Sequence, residues 1–273
     1  MFQAQTKSSG FSTAVALVEI IYHATVRNLR KSHSNAFVGL MISIFQTLIL
    51  VMVFYVMFSV LGLRKSALRG DFLIYIMSGI FLYLTHTKTI GAVAGSEGPT
   101  SPMMHHAPMT TFVAIASSAL GALYIQVLSV IVVLFIYHVT VSPVVISDPI
   151  GALGMLLLAW FYGVAVGMIF LALKPWFPQF VGIASTLYTR ANMIASGKMF
   201  VANTMPFYIL KLFDWNPLFH IIDQARGFAF INYNPHYSNL LYPFFFALAL
   251  LMLGFMGESY TRKHASLSWN ARR

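Results

Sequence analysis

Long runs without a charged residue are the strongest pattern in this chain. The uncharged runs cover 32–63, 98–147, 149–173 and 227–257, and the shortest of them is 25 residues long. A helix that crosses a bilayer needs about 20 mostly apolar residues, because its backbone must satisfy its own hydrogen bonds in hydrocarbon. The pattern therefore predicts an all-α, polytopic membrane protein.

Six spans are predicted from these runs, at 37–63, 72–93, 110–139, 150–173, 177–204 and 240–257. The second span contains the polar insert THTKT, and polar residues interrupt the fifth. An even number of spans puts both termini on one side of the membrane. The expected organisation is a tail with an amphipathic helix (1–36), a six-span transmembrane domain (37–257) and a basic tail (258–273).

The segment 11–31 shows a different periodicity. Its apolar residues recur at i, i+3, i+4 and i+7, while Glu19, Arg27 and Arg30 fall on the other face. This spacing predicts an amphipathic helix lying in the membrane interface, with its basic residues near lipid phosphate. A soluble helix packed against a partner is the alternative, and the two interpretations are compatible.

Composition agrees with the membrane prediction and excludes an ordinary soluble enzyme. Apolar residues make up 58% of the chain and charged residues 9%, whereas a soluble domain has about 25% charged residues. The chain has no cysteine, so it forms no disulfide or thiolate metal site. The net charge of +10 comes from basic residues at segment edges and in the tails, which favours contact with anionic lipid over nucleic acid. No cleavable signal peptide is visible.

The distribution of Lys and Arg predicts the orientation. Nine lie on the side of the two termini and five on the opposite side, which favours cytoplasmic termini. The basic cluster between Arg64 and Arg69 opposes this assignment. On the cytoplasmic side, the connection 94–108 is long and proline-rich. On the external side, the segment 205–239 is apolar enough to fold partly back into the membrane.

Motifs for catalysis and cofactor binding are missing from the sequence. The pair Gly197-Lys198 is followed by Met199 instead of Ser or Thr, so it is not a phosphate-binding loop. The sequence has no HExxH, no GxSxG and no pair of intramembrane carboxylates. The adjacent His105 and His106 point in divergent directions and have no third ligand at metal-binding spacing. We therefore expect no catalytic residue, cofactor or metal in this chain.

Three cations fall inside predicted spans, where charge is costly in lipid. They are Lys88, Arg190 and Lys198; the last two are eight residues apart, which predicts a shared face of the fifth helix. Two interpretations remain open: snorkelling to the headgroups, or a polar wall of a conduit. Aromatic rings that either stack on sugars or pack in the core are further candidates. The predicted conduit residues are Phe45, Tyr55, Lys88, Tyr188, Arg190 and Lys198.

Several segments together resemble one family. They are VRNLRK before the first span, the run TIGAVAGSEGPTSPMMHHAPMTTFVA at 89–114, GVAVGMIFLALKPWFP from Gly163, the block WNPLFHIIDQAR at 215–226, and the tail from Gly254. The chain resembles the permease subunit of bacterial ABC-2 (type V) exporters, most closely those that export capsular or extracellular polysaccharides. The most specific block contains Asn216, Pro217, His220 and Arg226. Arg190 and Lys198 depart from the more apolar fifth span of that family.

The resemblance implies a half-channel that forms a homodimer over two copies of a separate ATPase, which binds the ATP and Mg. It also implies that Glu97, Met103, Met104, His105 and His106 couple to the ATPase, with the amphipathic helix beside them. The expected function is export of a polysaccharide, acidic and lipid-linked, across the bacterial inner membrane. The expected partners also include membrane lipids and periplasmic or outer-membrane export proteins. Alternatives are an ABC-2 exporter of a lipid, drug or other small hydrophobic molecule, and a membrane-embedded enzyme or scaffold.

Overall fold

The computed structural model describes residues 10–32, 36–60, 71–98 and 110–264. Within these ranges every regular element is helical. Most helices begin and end within a few residues of the predicted bounds. The helices are α1 Gly10–Ser32, α2 Ala36–Val60, α3 Phe72–Ala94, α4 Thr111–Thr140, α5 Pro149–Leu173, α6 Pro178–Ala195, α7 Phe207–Phe213, α8 Pro217–Ala229 and α9 Leu241–His264, with a 3₁₀ turn at Ala202–Thr204.

Side-chain caps set the first residue of four of these helices. Asp71 accepts a hydrogen bond from the Leu73 amide before α3, and Thr110, Asp148 and Asn216 cap α4, α5 and α8 in the same way. Such caps satisfy amide groups that have no acceptor within the helix. Proline follows the cap of α5 and of α8, where its missing N–H is not needed. The polar residues between the apolar runs therefore define where these helices begin.

Helix α3 lies at the centre of the bundle and packs against α2, α4, α5 and α8. Its contact with α5 is very close, because Gly163 of α5 faces the backbone of α3. A Cβ at Gly163 would lie 2.8 Å from the His86 oxygen, and one at Gly167 would lie 2.8 Å from the Val93 Cβ. Glycine at both positions lets α3 and α5 approach as one rigid pair.

Contacts between helix termini define two ends of the bundle. At one, which we call the α1 end, Asn28 of α1 donates to the Ser117 hydroxyl (2.9 Å), and Lys174 donates to the Ala94 oxygen (3.3 Å). The C-terminal part of α9 joins this end, where Trp176 donates to the Thr261 hydroxyl (2.9 Å). The start of α4 and the ends of α3, α5 and α9 therefore lie together.

The opposite end, which we call the α8 end, contains the start of α3 and the end of α4. There Asp71 accepts hydrogen bonds from Tyr137 and Ser142. The start of α5 meets the end of α8, where the Asp148 amide donates to the Phe228 oxygen (2.8 Å). Helices α3, α4 and α5 therefore run the full distance between the two ends.

Four of the described helices are long and apolar enough to cross a membrane: α2 from Phe37, α4, α5 and α9. These four match the predicted first, third, fourth and sixth spans. Helices α3 and α6 do not reach that apolarity, because α3 contains buried polar residues such as Thr85 and Thr89 and α6 contains Arg190 and Asn192. The count of six spans stays a prediction.

The predicted fifth span differs most from the structure. It was expected to continue to 204, but α6 ends at Ala195. Gly197 follows with a φ of +70°, a left-handed conformation that reverses the chain. Lys198 consequently packs against Gly79 of α3, while Arg190 is exposed on α6. The prediction that Arg190 and Lys198 share a helix face is wrong, because the helix ends between them.

Candidate functional site

A cavity lies at the α1 end, between α1, α2, α3 and α4. Its volume is about 590 Å³, and both its charged and its neutral polar groups come from elements far apart in sequence. The polar lining residues are Arg27, Asn28, Ser43, Gln46, Lys88, Ser96, Glu97, Ser117, Ser118 and Gln126.

Two cations in this cavity lack a carboxylate partner among the described residues. Lys88 donates from Nζ to the Gln46 Oε1 (2.5 Å), a neutral amide. Arg27 has no hydrogen bond or ion pair within the part of the chain that the structure describes. Opposite them, Gln126 donates to the Ser43 hydroxyl (3.3 Å). The cavity thus combines apolar walls with positive groups on α1 and α3 and the carboxylate of Glu97.

Helix α1 packs against α4 through the second half of its length. Ala24 is buried, and the side chains of Thr25 and Leu29 lie against Gly121 of α4. In contrast, the large apolar residues of its first half, among them Val18 and Tyr22, are exposed. The predicted helix is confirmed, and its position in the membrane interface stays a prediction.

The residues expected to couple to an ATPase fall partly outside the described ranges. Glu97 is half-buried in the cavity wall just after α3. Met103, Met104, His105 and His106 lie outside the described residues, as does the side chain of Arg30. Glu19 is exposed on α1, where its carboxylate lies 3.8 Å from His23. Arg27, placed on the same polar face by the sequence, lines the cavity.

A chain of hydrogen bonds crosses the interior between α3, α5 and α6. The His86 Nε2 lies 3.0 Å from the Tyr188 hydroxyl, and that hydroxyl donates to the Tyr162 hydroxyl at 3.0 Å. The His86 ring also stacks on the ring of Tyr162, with centroids 4.5 Å apart. Sequence reasoning included Tyr188 but missed His86 and Tyr162. The polar insert THTKT was the signal that could have pointed to His86.

Helix α6 is held mainly by polar contacts. Of its 18 residues only Val181 and Asn192 are buried. Besides Tyr188, the contacts are the Tyr83 hydroxyl to the Thr189 oxygen (3.2 Å) and the Asn216 amide to the Asn192 Oδ1 (2.9 Å). The opposite face of α6 is exposed and partly polar, with Gln179, Thr186 and Arg190.

Lys198 is buried, with 3% of its surface exposed, between α2 and α3. Its ammonium group lies 3.6 Å from the centre of the Tyr83 ring and 4.8 Å from that of Phe54. It has no hydrogen-bond partner among the described residues. The two rings therefore supply the electrostatic stabilisation of this cation.

Most of the block at 215–226 is buried at the α8 end, although Trp215 is exposed. Arg226 donates to the carbonyl oxygens of Gly197 (3.0 Å), Lys198 (2.7 Å) and Phe200 (2.6 Å), and its guanidinium lies 4.4 Å from the centre of the Tyr75 ring. These bonds fasten the turn that follows α6. Arg226 therefore positions backbone, and it is only 1% exposed.

The neighbours of Arg226 fasten the loop that leads to α9. The His220 Nδ1 accepts from the Asn239 amide (3.0 Å), so the Nε2 donates to the Asp214 oxygen (2.6 Å). Asp223 accepts hydrogen bonds from Tyr233 and Ser238. Burial raises the pKa of Tyr233, and the nearby Asp223 raises it further, so the phenol stays a donor at physiological pH.

The predicted conduit residues separate into different places. Lys88 lines the α1-end cavity, and Phe45 is exposed on α2 beside Gln46. The ring of Tyr55 lies near that of Phe72, tilted at 47° to it, towards the α8 end. The remaining three differ in burial: Tyr188 belongs to the His86 network, Lys198 is enclosed, and Arg190 is exposed. The fold does not gather these residues into one wall.

Several helices long and apolar enough to cross a membrane define a multi-pass membrane protein, and in the described residues no group of three His, Cys, Asp or Glu could hold a metal ion. Residues 20–230 match the family model of the ABC-2 type transporters. Because the match covers more than half of the chain, this protein belongs to the ABC-2 type transporter family. The matched region begins in α1 and ends just after α8. No curated protein matches the chain.

Proposed function

We propose that this chain is the permease subunit of an ATP-driven exporter and works as a homodimer with two copies of a separate ATPase. Membership of the ABC-2 family supports a transmembrane component that is not itself an ATPase. ATP and Mg belong to the partner subunit in this proposal. The observation that carries it is the exposed polar face of α6.

In an isolated chain, Arg190 would make the exposure of that face of α6 to lipid costly in free energy. It lies twelve residues after Pro178, about 18 Å along the helix axis at 1.5 Å per residue. An arginine within a membrane span costs roughly 2.5–3.5 kcal/mol. A second copy facing α6 encloses water between the two helices, and the guanidinium, together with Thr186 and Gln179, is then solvated. The conduit therefore lies between two protomers and is lined by α6.

The positions of α3 and α6 in the bundle support the proposed count of six spans. Helix α3 connects the α8 end to the α1 end. Helix α5 ends there at Leu173, and α6 begins at Pro178 after a connection of four residues. The turn after α6 meets α8 through Arg226. With α2, α4, α5 and α9 as the other spans, the first helix, α1, and the end of the last, α9, share the α1 end. The excess of Lys and Arg on that side supports the proposal that it faces the cytoplasm in a bacterial inner-membrane protein.

Coupling to the ATPase takes place at the α1 end. Glu97 and the segment 103–106 follow α3 in the sequence, so in this proposal force applied there moves α3. The glycine contacts of α3 with α5 make those two helices a rigid pair. Helix α6 is held by hydrogen bonds and has little apolar packing. It therefore moves relative to α3 and α5 at a lower free-energy cost than a closely packed helix would. ATPase closure thus shifts α6, the helix that lines the conduit.

A polysaccharide is the substrate that we propose, acidic and lipid-linked. The exposed Arg190 supplies a positive group on the conduit face, which attracts carboxylated or phosphorylated sugars in a low-dielectric passage. An exporter of a lipid, drug or other small hydrophobic molecule is the second candidate. It is favoured by the large exposed apolar residues Ile183 and Leu187 on the same helix.

Cysteine labelling tests the conduit, and the natural chain suits it because it contains no cysteine. Thr186→Cys on α6 is compared with Ile131→Cys, an exposed position on α4, which has no extensive contact with α6. A charged, membrane-impermeant maleimide should label Thr186→Cys at least tenfold faster, because a thiol ionises only in contact with water. Equal rates at the two positions contradict a water-filled conduit along α6.

Export itself tests the substrate. A deletion strain should accumulate intracellular glycan, and Arg190→Gln should restore export less well than the wild-type chain at equal membrane abundance. Thr186→Ser, on the same face, is the matched control and should restore export fully. Normal glycan export in the deletion strain, together with retention of a small hydrophobic compound, supports the second candidate instead.

A further inference from the structure

The cavity at the α1 end is separate from the conduit face of α6, and its chemistry points to an anionic ligand. Arg27 from α1 and Lys88 from α3 are its two cations. Among the described residues, Lys88 donates a hydrogen bond only to the neutral amide of Gln46, and Arg27 has no acceptor. Among the described lining residues Glu97 supplies one carboxylate, so the cations outnumber the anions there and favour a further anion.

Phosphate fits this donor set. Arginine presents a planar fork that binds two phosphate oxygens, and lysine adds a compact point charge. The neighbouring wall supplies neutral donors: Asn28 donates to the Ser117 hydroxyl (2.9 Å) and is within 3.3 Å of the Ser118 hydroxyl. These groups can reorient towards phosphate oxygens without leaving a buried charge unpaired.

An apolar stripe begins at the rim of the cavity and runs along α2. Ile42 belongs to the cavity wall and is itself exposed, and the stripe continues with Phe45, Ile49, Val53 and Val56. The spacing of three or four residues keeps these side chains on one face of the helix. From Ile42 to Val56 the stripe extends about 21 Å at 1.5 Å per residue. That length suits an acyl chain, whereas a soluble phosphate compound would make no use of it.

We propose that the cavity binds the phosphate headgroup of an anionic membrane lipid, with Arg27 and Lys88 contacting the phosphate and an acyl chain lying along the α2 stripe. The lipid belongs to the leaflet at the α1 end. The bound lipid contacts α1, α2 and α3 together. Because α1 itself makes few contacts with α2 and α3, the lipid fixes the angle of α1. The site does not depend on the exported substrate, because none of its residues lies on α6.

Native mass spectrometry of the full-length chain in neutral detergent tests this site. The probes are phosphatidylglycerol, phosphatidylcholine and inorganic phosphate, each titrated separately. The wild-type chain should bind one phosphatidylglycerol about tenfold more tightly than phosphatidylcholine. The double variant Arg27→Gln/Lys88→Gln should reduce that preference to about onefold. Lys211→Gln on α7, at the other end of the bundle, is the matched control and should leave the preference unchanged.

The two parts of the proposal have separate outcomes. Equal binding of both lipids by the wild-type chain, or an unchanged preference in the double variant, overturns the headgroup site. Saturable binding of inorganic phosphate as tight as that of phosphatidylglycerol overturns the lipid assignment, because the stripe then contributes nothing. Size-exclusion elution at the wild-type volume confirms that the double variant is folded. Ile49→Asp places a charge on the stripe and should weaken phosphatidylglycerol binding while leaving Arg27 and Lys88 in place.

Discussion

Arg226 donates a hydrogen bond from its Nη2 to the main-chain oxygen of Lys198, at 2.7 Å, across 28 positions of sequence. The residue that the family block places near the external side therefore contacts the backbone of a residue expected to line a conduit. Both side chains are buried, each against an aromatic ring of α3. This pair is a structural joint between α8 and the turn after α6.

Replacing Arg226 with Gln should destabilise the protein strongly. Three buried carbonyl oxygens lose a charged donor, and each unsatisfied group costs about 1–3 kcal/mol. Thermal melting followed by fluorescence-detected size exclusion should show a fall of the midpoint by several degrees. Lys211→Gln, an exposed cation at the same end, should melt like the wild type. An unchanged midpoint for Arg226→Gln would show that the turn holds without it.

The turn after α6 should depend on glycine at position 197. The φ of +70° is unfavourable for alanine, and its Cβ would lie 2.5 Å from the Phe219 ring. Gly197→Ala should therefore lower the melting midpoint. The expected loss of unfolding free energy is about 2 kcal/mol or more. Gly182→Ala in α6 is the matched control: nothing lies within 4 Å of its Cβ, so it should stabilise the helix by about 0.5–1 kcal/mol. The same sign for both substitutions would contradict the turn.

Tyr188→Phe should loosen α6 without removing its aromatic packing. The lost hydroxyl leaves the buried His86 without its bond to α6, an expected cost of about 1–3 kcal/mol. If α6 moves during transport, ATPase activity of the assembled complex should become less dependent on substrate. Tyr124→Phe on α4, an exposed tyrosine outside any hydrogen bond among the described residues, is the control. Wild-type stability and coupling in Tyr188→Phe would rule out a role for this network.

Acid should weaken the joint between α3 and α4. Burial raises the pKa of Asp71, but hydrogen bonds from Tyr137, Ser142 and the Leu73 amide outweigh it, so the pKa lies below its ordinary value of 3.8. A carboxylate with a depressed pKa stabilises the fold above its unfolded pKa, and this contribution disappears as the pH falls through the folded value. The melting midpoint should therefore stay level from pH 7 to about pH 5 and fall below about pH 4.

The Asp71→Asn variant serves as the control for that pH dependence. The variant should have a lower melting midpoint at pH 7, and this midpoint should fall less steeply than that of the wild type below about pH 4. The effect is measurable because the chain has only seven acidic residues. If the melting midpoint of the wild type falls no more steeply in acid than that of the variant, folding does not lower the pKa of Asp71.

The sequence was most informative where local physics decides the outcome. Helices α2, α4, α5 and α9 follow from apolar runs of membrane-spanning length, and their bounds were predicted to within a few residues, except that α9 continues to His264. The helix α1 follows from its periodicity. The block at 215–226 was singled out as a unit, but its residues gave no sign that Arg226 faces backbone carbonyls.

The candidate sites depended on relationships that the sequence does not contain. Helical spacing put Arg190 and Lys198 on one face, yet a single residue, Gly197, reverses the chain between them. Phe45 and Lys88 were grouped with Tyr188 as one wall, although their helices face different parts of the bundle. His86 was overlooked because it lies in a polar insert, THTKT. It is buried because α5 packs closely against α3 at this position.

Apolar runs, charge gaps and one specific block were enough to determine a helical, multi-pass membrane protein of the ABC-2 kind, because the cost of an unpaired backbone in lipid acts on each segment separately. Only the tertiary structure decided that Lys198 is enclosed by aromatic rings, that α6 has an open polar face, and that Arg27 and Lys88 meet in one cavity. Those arrangements depend on how distant helices pack, which glycine contacts and the turn at Gly197 determine.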